Sequence, residues 1–168
     1  MSQPLAEAAA RAETLAKGGG SEQELALLRA EWDDEIEAAA RSGDYRVRGV
    51  AYRSIAQFRF RQKLELLRRG LEDGSAGARG SALIALSSLS SDHPGDVNAF
   101  RPLLNELAMR DPNSAVRRLA IACLRNGTAD HGTIQLLEGI AGDDEVDREV
   151  RDGARASAAF LVKKSRTK

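Results

Sequence analysis

The feature that most constrains the fold of this chain is a local pattern that occurs four times. Each copy has Val or Ala followed by arginine, then alanine three positions after the arginine and a small residue six positions after it. The four arginines are Arg48, Arg79, Arg117 and Arg151, and successive ones are 31, 38 and 34 residues apart. That spacing is the length of one helical hairpin, and periods of about 20–50 residues are typical of solenoids. The sequence therefore predicts a stack of similar units.

Each copy of the pattern has the periodicity of an amphipathic helix. Its apolar positions fall on one face at 100° per residue, and a second helical segment with regularly spaced leucine and isoleucine residues precedes it. Turn residues separate the two helices of each pair. The first pair opens at Ser21 with Glu24 three residues later, which is a capping-box signature. Asp111 followed by Pro112 predicts another helix start, with Asp111 as the N-cap.

Composition narrows the fold class further. Aromatic residues make up only 4% of the 168 residues and no Val/Ile/Thr/Tyr alternation occurs, so the expected fold is all-α. A content of 42% hydrophobic and 30% charged residues excludes a disordered or collagen-like chain. The single Cys123 excludes an internal disulfide framework. No apolar run is long enough to cross a membrane and no signal-peptide core is present, so we expect a cytoplasmic protein that does not bind membranes.

One stretch resembles a known family. Pro102–Leu104, Leu107, Asp111–Pro112, Val116–Arg117, Ala120 and Leu124 are similar to a HEAT repeat, the α-solenoid unit of scaffold and transport proteins. The resemblance covers about residues 21–163 and implies an α–α superhelix of about four antiparallel helix pairs. Residues 1–20 are predicted to form an N-terminal capping helix with a Gly-rich link, or alternatively a loosely docked tail. Residues 164–168 are predicted to form a basic tail.

The resemblance also implies a role for the four arginines. In HEAT repeats an acidic residue six positions before the arginine joins it in a ladder along the stack. In the second, third and fourth repeats those positions hold Asp73, Asp111 and Glu145. The first repeat has Ser42 there, so either Asp44 takes the acidic role or the ladder begins at the second repeat. We expect a structural ladder rather than an anion-binding site. Replacing Arg117 is accordingly predicted to lower stability rather than to remove an activity.

The second helix of each HEAT-like pair lines the concave surface, and this gives candidate partner-binding residues. Apolar side chains ringed by arginines are typical of binding hot spots. Curvature could instead bury the apolar members of the set. The candidates on outward helical positions are Tyr52, Arg53, Leu83, Ile84, Arg118, Ile121, Arg125 and Arg155.

Motifs for catalysis are missing from the sequence. His93 and His131 are far apart, Cys123 falls on a core face, and no HExxH, paired CxxC, GxSxG or phosphate-binding loop occurs. We therefore expect neither an enzyme nor a bound cofactor or metal.

Charge is balanced overall but uneven along the chain. Residues 1–40 contain nine acidic and three basic residues, whereas residues 41–71 contain two acidic and nine basic ones. The basic block at residues 45–69 interleaves arginines with Tyr45, Tyr52, Phe58 and Phe60, a pattern that is found in nucleic-acid-binding proteins. The alternative is that Phe58 is a core residue and the arginines neutralise the acidic first repeat.

Two function classes follow. The first is a non-enzymatic protein-binding module (an adaptor, a regulator, or an inhibitor such as an immunity protein) that grips an acidic or amphipathic partner segment in its concave groove. The second is a nucleic-acid-binding protein. The enzymatic form of this second class would be a protein similar to the alkylpurine DNA glycosylases that are built on HEAT-like repeats. Those enzymes use a catalytic acid near aromatic residues, and in this sequence the only such cluster is the group of acidic residues around Trp32.

Overall fold

The fold is all-helical, as predicted. The computed structural model describes the backbone of residues 2–167 and the side chains of residues 4–167, so positions 1 and 168, at the outer ends of the two predicted terminal segments, lie outside the described residues. Within this range the chain forms nine α-helices, one short 3-10 helix at Arg61–Lys63 and no strand. The helices are α1 Ser2–Lys17, α2 Glu22–Ala40, α3 Tyr45–Gln57, α4 Leu64–Leu71, α5 Ala76–Ser90, α6 Pro94–Arg110, α7 Ser114–Leu124, α8 His131–Ala141 and α9 Arg148–Ser165.

The helices pack in consecutive pairs, the arrangement of a HEAT-like α-solenoid. The chain separates into two compact units, Met1–Leu89 and Ser90–Lys168. The boundary between them lies inside the segment 21–163, which is predicted from the sequence to be one domain. In the N-terminal unit, α2 pairs with α3, and α4 and α5 follow as the next pair. In the C-terminal unit, α6 pairs with α7 and α8 with α9, while α7 also packs against α9. The four repeats of the sequence are these four pairs.

The N-terminal helix α1 is docked rather than frayed. It packs against α2 and α3, and its alanine-rich face, with Leu5 and Ala12, is fully buried. The helix ends at a glycine turn in which Gly19 has a φ of 78°, a left-handed conformation that only glycine adopts without steric cost. This turn lets the chain reverse from α1 into α2.

Two predicted helix starts have different outcomes. Ser21 is the N-cap of α2, as predicted, and its Oγ accepts a hydrogen bond of 3.1 Å from the backbone N–H of Glu24. The Ser21 hydroxyl in turn donates to the Glu24 carboxylate at 3.2 Å. The predicted N-cap at Asp111 is wrong. Asn113 caps α7 by accepting a bond from the N–H of Val116, whereas Asp111 ends α6 and accepts from the N–H of Asn113.

Gly70 lies at a close contact of α4 with α3 and α5. A Cβ atom added there would lie 2.7 Å from the Cβ of Ala82 and 3.1 Å from two ring carbons of Tyr52. We expect Gly70→Ala to lower the free energy of unfolding by about 1–3 kcal/mol because the added methyl overpacks this contact. Gly153→Ala in α9 is the matched control: its Cβ would meet nothing within 4 Å. It should raise stability by about 0.5–1 kcal/mol through helix propensity. Urea titration measures both, and a neutral Gly70→Ala would contradict the close approach.

The predicted basic tail begins inside a helix. Helix α9 continues to Ser165, and the Nζ of Lys164 donates hydrogen bonds to the backbone carbonyls of Arg125 and Gly127 at 3.2 and 2.6 Å. Lys164 therefore anchors α9 to the end of α7 instead of belonging to a separate tail. The carbonyl dipoles at the C-terminal end of α7 stabilise this positive charge.

Candidate functional site

The N-terminal unit contains one complete pair of the predicted ladder. Arg48 donates from Nε and Nη2 to the two carboxylate oxygens of Asp73 at 2.7 and 2.8 Å, and from Nη1 to the Ser42 carbonyl at 2.9 Å. The hydroxyl of Tyr52 donates to the same carboxylate at 3.2 Å. Ser42 thus contributes a backbone oxygen in place of a carboxylate. Arg79 repeats this feature by donating to the Asp73 carbonyl.

The Arg48–Asp73 pair perturbs the ionisation of its carboxyl group. The side chain of Asp73 is only 5% exposed. Its pKa is lowered chiefly by the hydrogen bond from Arg48, and the N–H of Ser75 lowers it further, while burial acts in the opposite direction. The carboxylate is therefore held in its charged form by partners that folding brings together.

The C-terminal unit departs from the predicted ladder. Arg117 donates from Nε to the Ala108 carbonyl at 2.9 Å and forms no ion pair with any described residue. Arg151 lies 3.5 Å from Asp144 rather than pairing with Glu145, which is exposed. The assignment of Glu145 to the ladder is therefore wrong.

The turn between α8 and α9 explains this error. Asp143 Oδ1 accepts a hydrogen bond from the N–H of Glu145, as Asp73 Oδ1 accepts from Ser75 and Asp111 Oδ1 from Asn113. Asp143 is therefore the equivalent of Asp73 and Asp111. Counting back six residues from Arg151 misses it because this turn is two residues longer.

Three of the eight predicted partner-binding residues are buried, so their outward placement is wrong. Tyr52, Leu83 and Ile121 are at most 3% exposed. All three lie four positions after a ladder arginine. A helix such as α3 packs against α2 and also against neighbouring helices on its flanks, so it buries a wider arc than a simple amphipathic stripe. Tyr52 instead supports the ladder through its bond to Asp73.

Two predicted residues, Arg53 and Ile84, line an exposed surface in the N-terminal unit. A cleft of about 200 Å³ between α1, α3 and α5 is lined by Glu13, Arg53, Ala56, Gln57, Ile84, Ala85 and Ser88. A second cleft of about 170 Å³ on the other side of Arg53 is lined by Ala6, Val50, Arg53 and Gln57. Together these residues form what is here called the Arg53 surface.

The two charged residues of the Arg53 surface, Glu13 and Arg53, differ in whether they have partners. Glu13 accepts a hydrogen bond from Gln57 at 3.3 Å and lies 3.1 Å from Lys17, whose hydrogen bond is the main cause that lowers the Glu13 pKa. Arg53 is exposed and makes no hydrogen bond or ion pair with any other described residue. Ile84 is 49% exposed. A free guanidinium thus lies between two partly apolar hollows.

The three predicted arginines of the C-terminal unit have partners in their own unit. Arg118 forms an ion pair of 2.7 Å with Glu149, and Arg155 forms one of 3.0 Å with Asp152. The guanidinium of Arg125 stacks on the half-exposed ring of Phe160 at 4.4 Å. These arginines are less available to a partner than Arg53 is.

Three of the four aromatic rings in the basic block at residues 45–69 are buried. Tyr52, Phe58 and Phe60 are buried, and Tyr45 is half-exposed beside Arg46. Lys63 lies 2.6 Å from Asp33 and 2.7 Å from Glu37. Phe58 is therefore a core residue, as the alternative interpretation states, and Lys63, a lysine where that interpretation names arginines, pairs with the acidic α2.

Sequence reasoning missed two features. The buried Arg29 donates to the carbonyls of Phe58 and Arg59 at 3.0 and 3.3 Å and pairs with Glu22. Nothing distinguishes it in the sequence from a solvent-exposed arginine. The contribution of α1 to the Arg53 surface was also missed because α1 carries no repeat pattern, although Glu13 and Ala6 line its clefts.

Metal-ligand clusters and membrane-spanning helices are both absent from the described part of the chain. Residues 2–167 contain no group of three or more His, Cys, Asp or Glu side chains arranged to hold a metal ion. None of the described helices combines the length and apolar character needed to cross a membrane.

Comparison with known proteins gives one positive result. Residues 33–106, which include the C-terminal part of α2, all of α3 to α5 and most of α6, match the family model described as HEAT repeats. Neither the curated proteins nor the solved structures contain a match to the chain. The family match agrees with the helix pairs and with the Arg48–Asp73 ladder.

Proposed function

We propose that this chain, a HEAT-repeat protein, is a non-enzymatic module that binds a segment of a partner protein on the Arg53 surface. HEAT repeats commonly serve protein interactions, and their stacked helices provide extended binding surfaces. The observation that carries the proposal is the position of Arg53. Its guanidinium is free of described partners and separates two clefts on the exposed side of α1, α3 and α5.

The chemistry of the Arg53 surface favours an amphipathic segment with an acidic residue at its centre. Ile84 and Ala56 offer apolar contacts in one of the clefts that Arg53 lines, and Val50 and Ala6 offer them in the other. A carboxylate can bind the guanidinium through two parallel hydrogen bonds. Arginine next to apolar pockets is enriched among residues that dominate binding energy. The proposed role is that of an adaptor, a regulator or an inhibitor.

Charge reversal at Arg53 tests this proposal. We expect Arg53→Glu to reduce recovery of the partner in affinity purification from the native cell by at least tenfold, because it repels the partner carboxylate. The matched control is Arg69→Glu, which reverses an exposed arginine on α4, outside the Arg53 surface. Thermal melts should show both variants within about 0.5 kcal/mol of wild type, since neither side chain makes a buried contact.

Two results would contradict the proposal. One is that Arg53→Glu and Arg69→Glu reduce partner recovery equally, which would indicate general electrostatic attraction. The other is that the recovered partner is nucleic acid. In that case binding to a 20-base-pair duplex should weaken with salt at a log–log slope of about −0.9 per phosphate contact.

A further inference from the structure

A cleft of about 530 Å³ lies in the C-terminal unit and shares no lining residue with the Arg53 surface. Four apolar side chains from α6, α8 and the α8–α9 turn line it, and a guanidinium and a carboxylate complete its walls. The apolar residues are Met109, Leu136, Ile140 and Val146, and the charged residues are Arg117 and Asp143. Met109 is 37% exposed, so apolar surface is open to solvent at this site.

The two charged residues are the counterparts of Arg48 and Asp73. Arg117 occupies the ladder position of α7, and Asp143 makes the same turn hydrogen bond as Asp73, as described above. In the N-terminal unit the equivalent groups touch at 2.7 and 2.8 Å. Here they line one cleft without an ion pair among the described residues. A donor and an acceptor that form an ion pair in one repeat thus form none in another, where both line a cleft together with apolar side chains.

We propose that this cleft binds an extended segment of a partner protein that carries one aliphatic side chain. A peptide group matches the separated pair, because its carbonyl accepts from the Arg117 guanidinium and its N–H donates to the Asp143 carboxylate. The aliphatic side chain then packs against Leu136, Ile140 and Val146. The site is independent of the Arg53 surface, and its failure would leave that proposal unaffected.

Gly139 provides a way to block the cleft without disturbing the fold. It lies in α8, lines the cleft, and a Cβ placed on it meets nothing within 4 Å. Gly139→Leu therefore places a side chain in the space that the aliphatic residue of the peptide would fill. Gly153→Leu is the control, since Gly153 has equally open space on α9 and does not line the cleft.

Titration with capped amino acids, followed by NMR, tests the proposal on the full chain. N-acetyl-leucine-N-methylamide should cause saturable shifts of the Leu136, Ile140 and Met109 methyl signals. N-acetyl-alanine-N-methylamide should bind at least tenfold more weakly, because it lacks three apolar carbons. Gly139→Leu should abolish the leucine-dependent shifts and Gly153→Leu should retain them.

Three outcomes would overturn the proposal. The first is the absence of saturable methyl shifts in the wild type, as expected if Arg117 and Asp143 close the cleft by pairing with each other. The second is tighter binding of free leucine than of the capped form, which would indicate a site for a small zwitterion. The third is equal loss of binding in Gly139→Leu and Gly153→Leu.

Discussion

Replacing Arg48 by alanine is expected to lower the free energy of unfolding by about 3 kcal/mol, the lower end of the range for breaking a buried ion pair. The change removes two hydrogen bonds to Asp73, whose side chain is 5% exposed, and one to the Ser42 carbonyl. For a domain of this size we expect a fall in melting temperature of about 6–12 °C. Calorimetry or circular dichroism measures it.

Arg117→Ala is the informative control for Arg48→Ala. Both residues hold the same position in the repeat, but Arg117 makes one hydrogen bond to a carbonyl and no ion pair among the described residues. We expect Arg117→Ala to cost only about 1 kcal/mol, the contribution of a single hydrogen bond. Equal losses of stability in the two variants would show that the ladder arginines stabilise the fold independently of the carboxylates.

The stabilisation by Arg48 should depend on pH in a defined direction. The Asp73 pKa is lowered in the folded state, mainly by the hydrogen bond from Arg48. Its contribution to stability is therefore complete above the unfolded-state pKa of about 3.9 and is lost as the pH falls through the lower folded-state value. The difference between wild type and Arg48→Ala should consequently be constant near neutral pH and shrink below about pH 4.

Replacing Arg29 by methionine is expected to cost about 1–3 kcal/mol, since it removes the guanidinium that donates to two carbonyl groups after α3. One of these, the Arg59 carbonyl, keeps a hydrogen bond of 3.1 Å from the N–H of Arg61. Those carbonyls belong to Phe58 and Arg59, and Arg59 has a φ of 51°, which is costly for a residue other than glycine. Arg29 therefore holds a strained turn between α3 and α4. Urea titration of the variant measures the loss.

Glu22→Gln separates the role of Arg29 as a donor from its role in an ion pair. The Glu22 side chain is 75% exposed, so removing its charge should cost less than about 1 kcal/mol. A large loss in Glu22→Gln together with a small loss in Arg29→Met would contradict the proposed support of the turn.

The sequence predicted the fold because the determining signals are local and repeated. The buried +3 and +6 positions and the Ser21 N-cap depend on residues within one helix or its cap, and the 31–38-residue spacing of the ladder arginines repeats from one helix pair to the next. The prediction of Glu145 failed because a fixed offset assumes a turn of constant length. Asp143 is recognisable only from its hydrogen bond to the turn backbone.

The binding surface was predictable only in part. Arg53 and Ile84 lie five positions after their ladder arginines and are exposed, whereas Tyr52, Leu83 and Ile121 lie four positions after and are buried. A single helical wheel cannot separate these positions, because neighbouring helices determine how wide the buried arc is. The part played by α1 depends on tertiary packing that no repeat pattern encodes.

The most direct test of the central claim, that the Arg53 surface binds a partner protein, is site-specific photocross-linking in the native cell. Ile84 and Leu27 are both exposed apolar residues, 49% and 69% exposed, and only Ile84 lines the Arg53 surface. A photoreactive residue at position 84 should give a discrete protein cross-link that Arg53→Glu abolishes, while position 27 should give none. Equal cross-linking from both positions, or an adduct with nucleic acid at position 84, would contradict the claim.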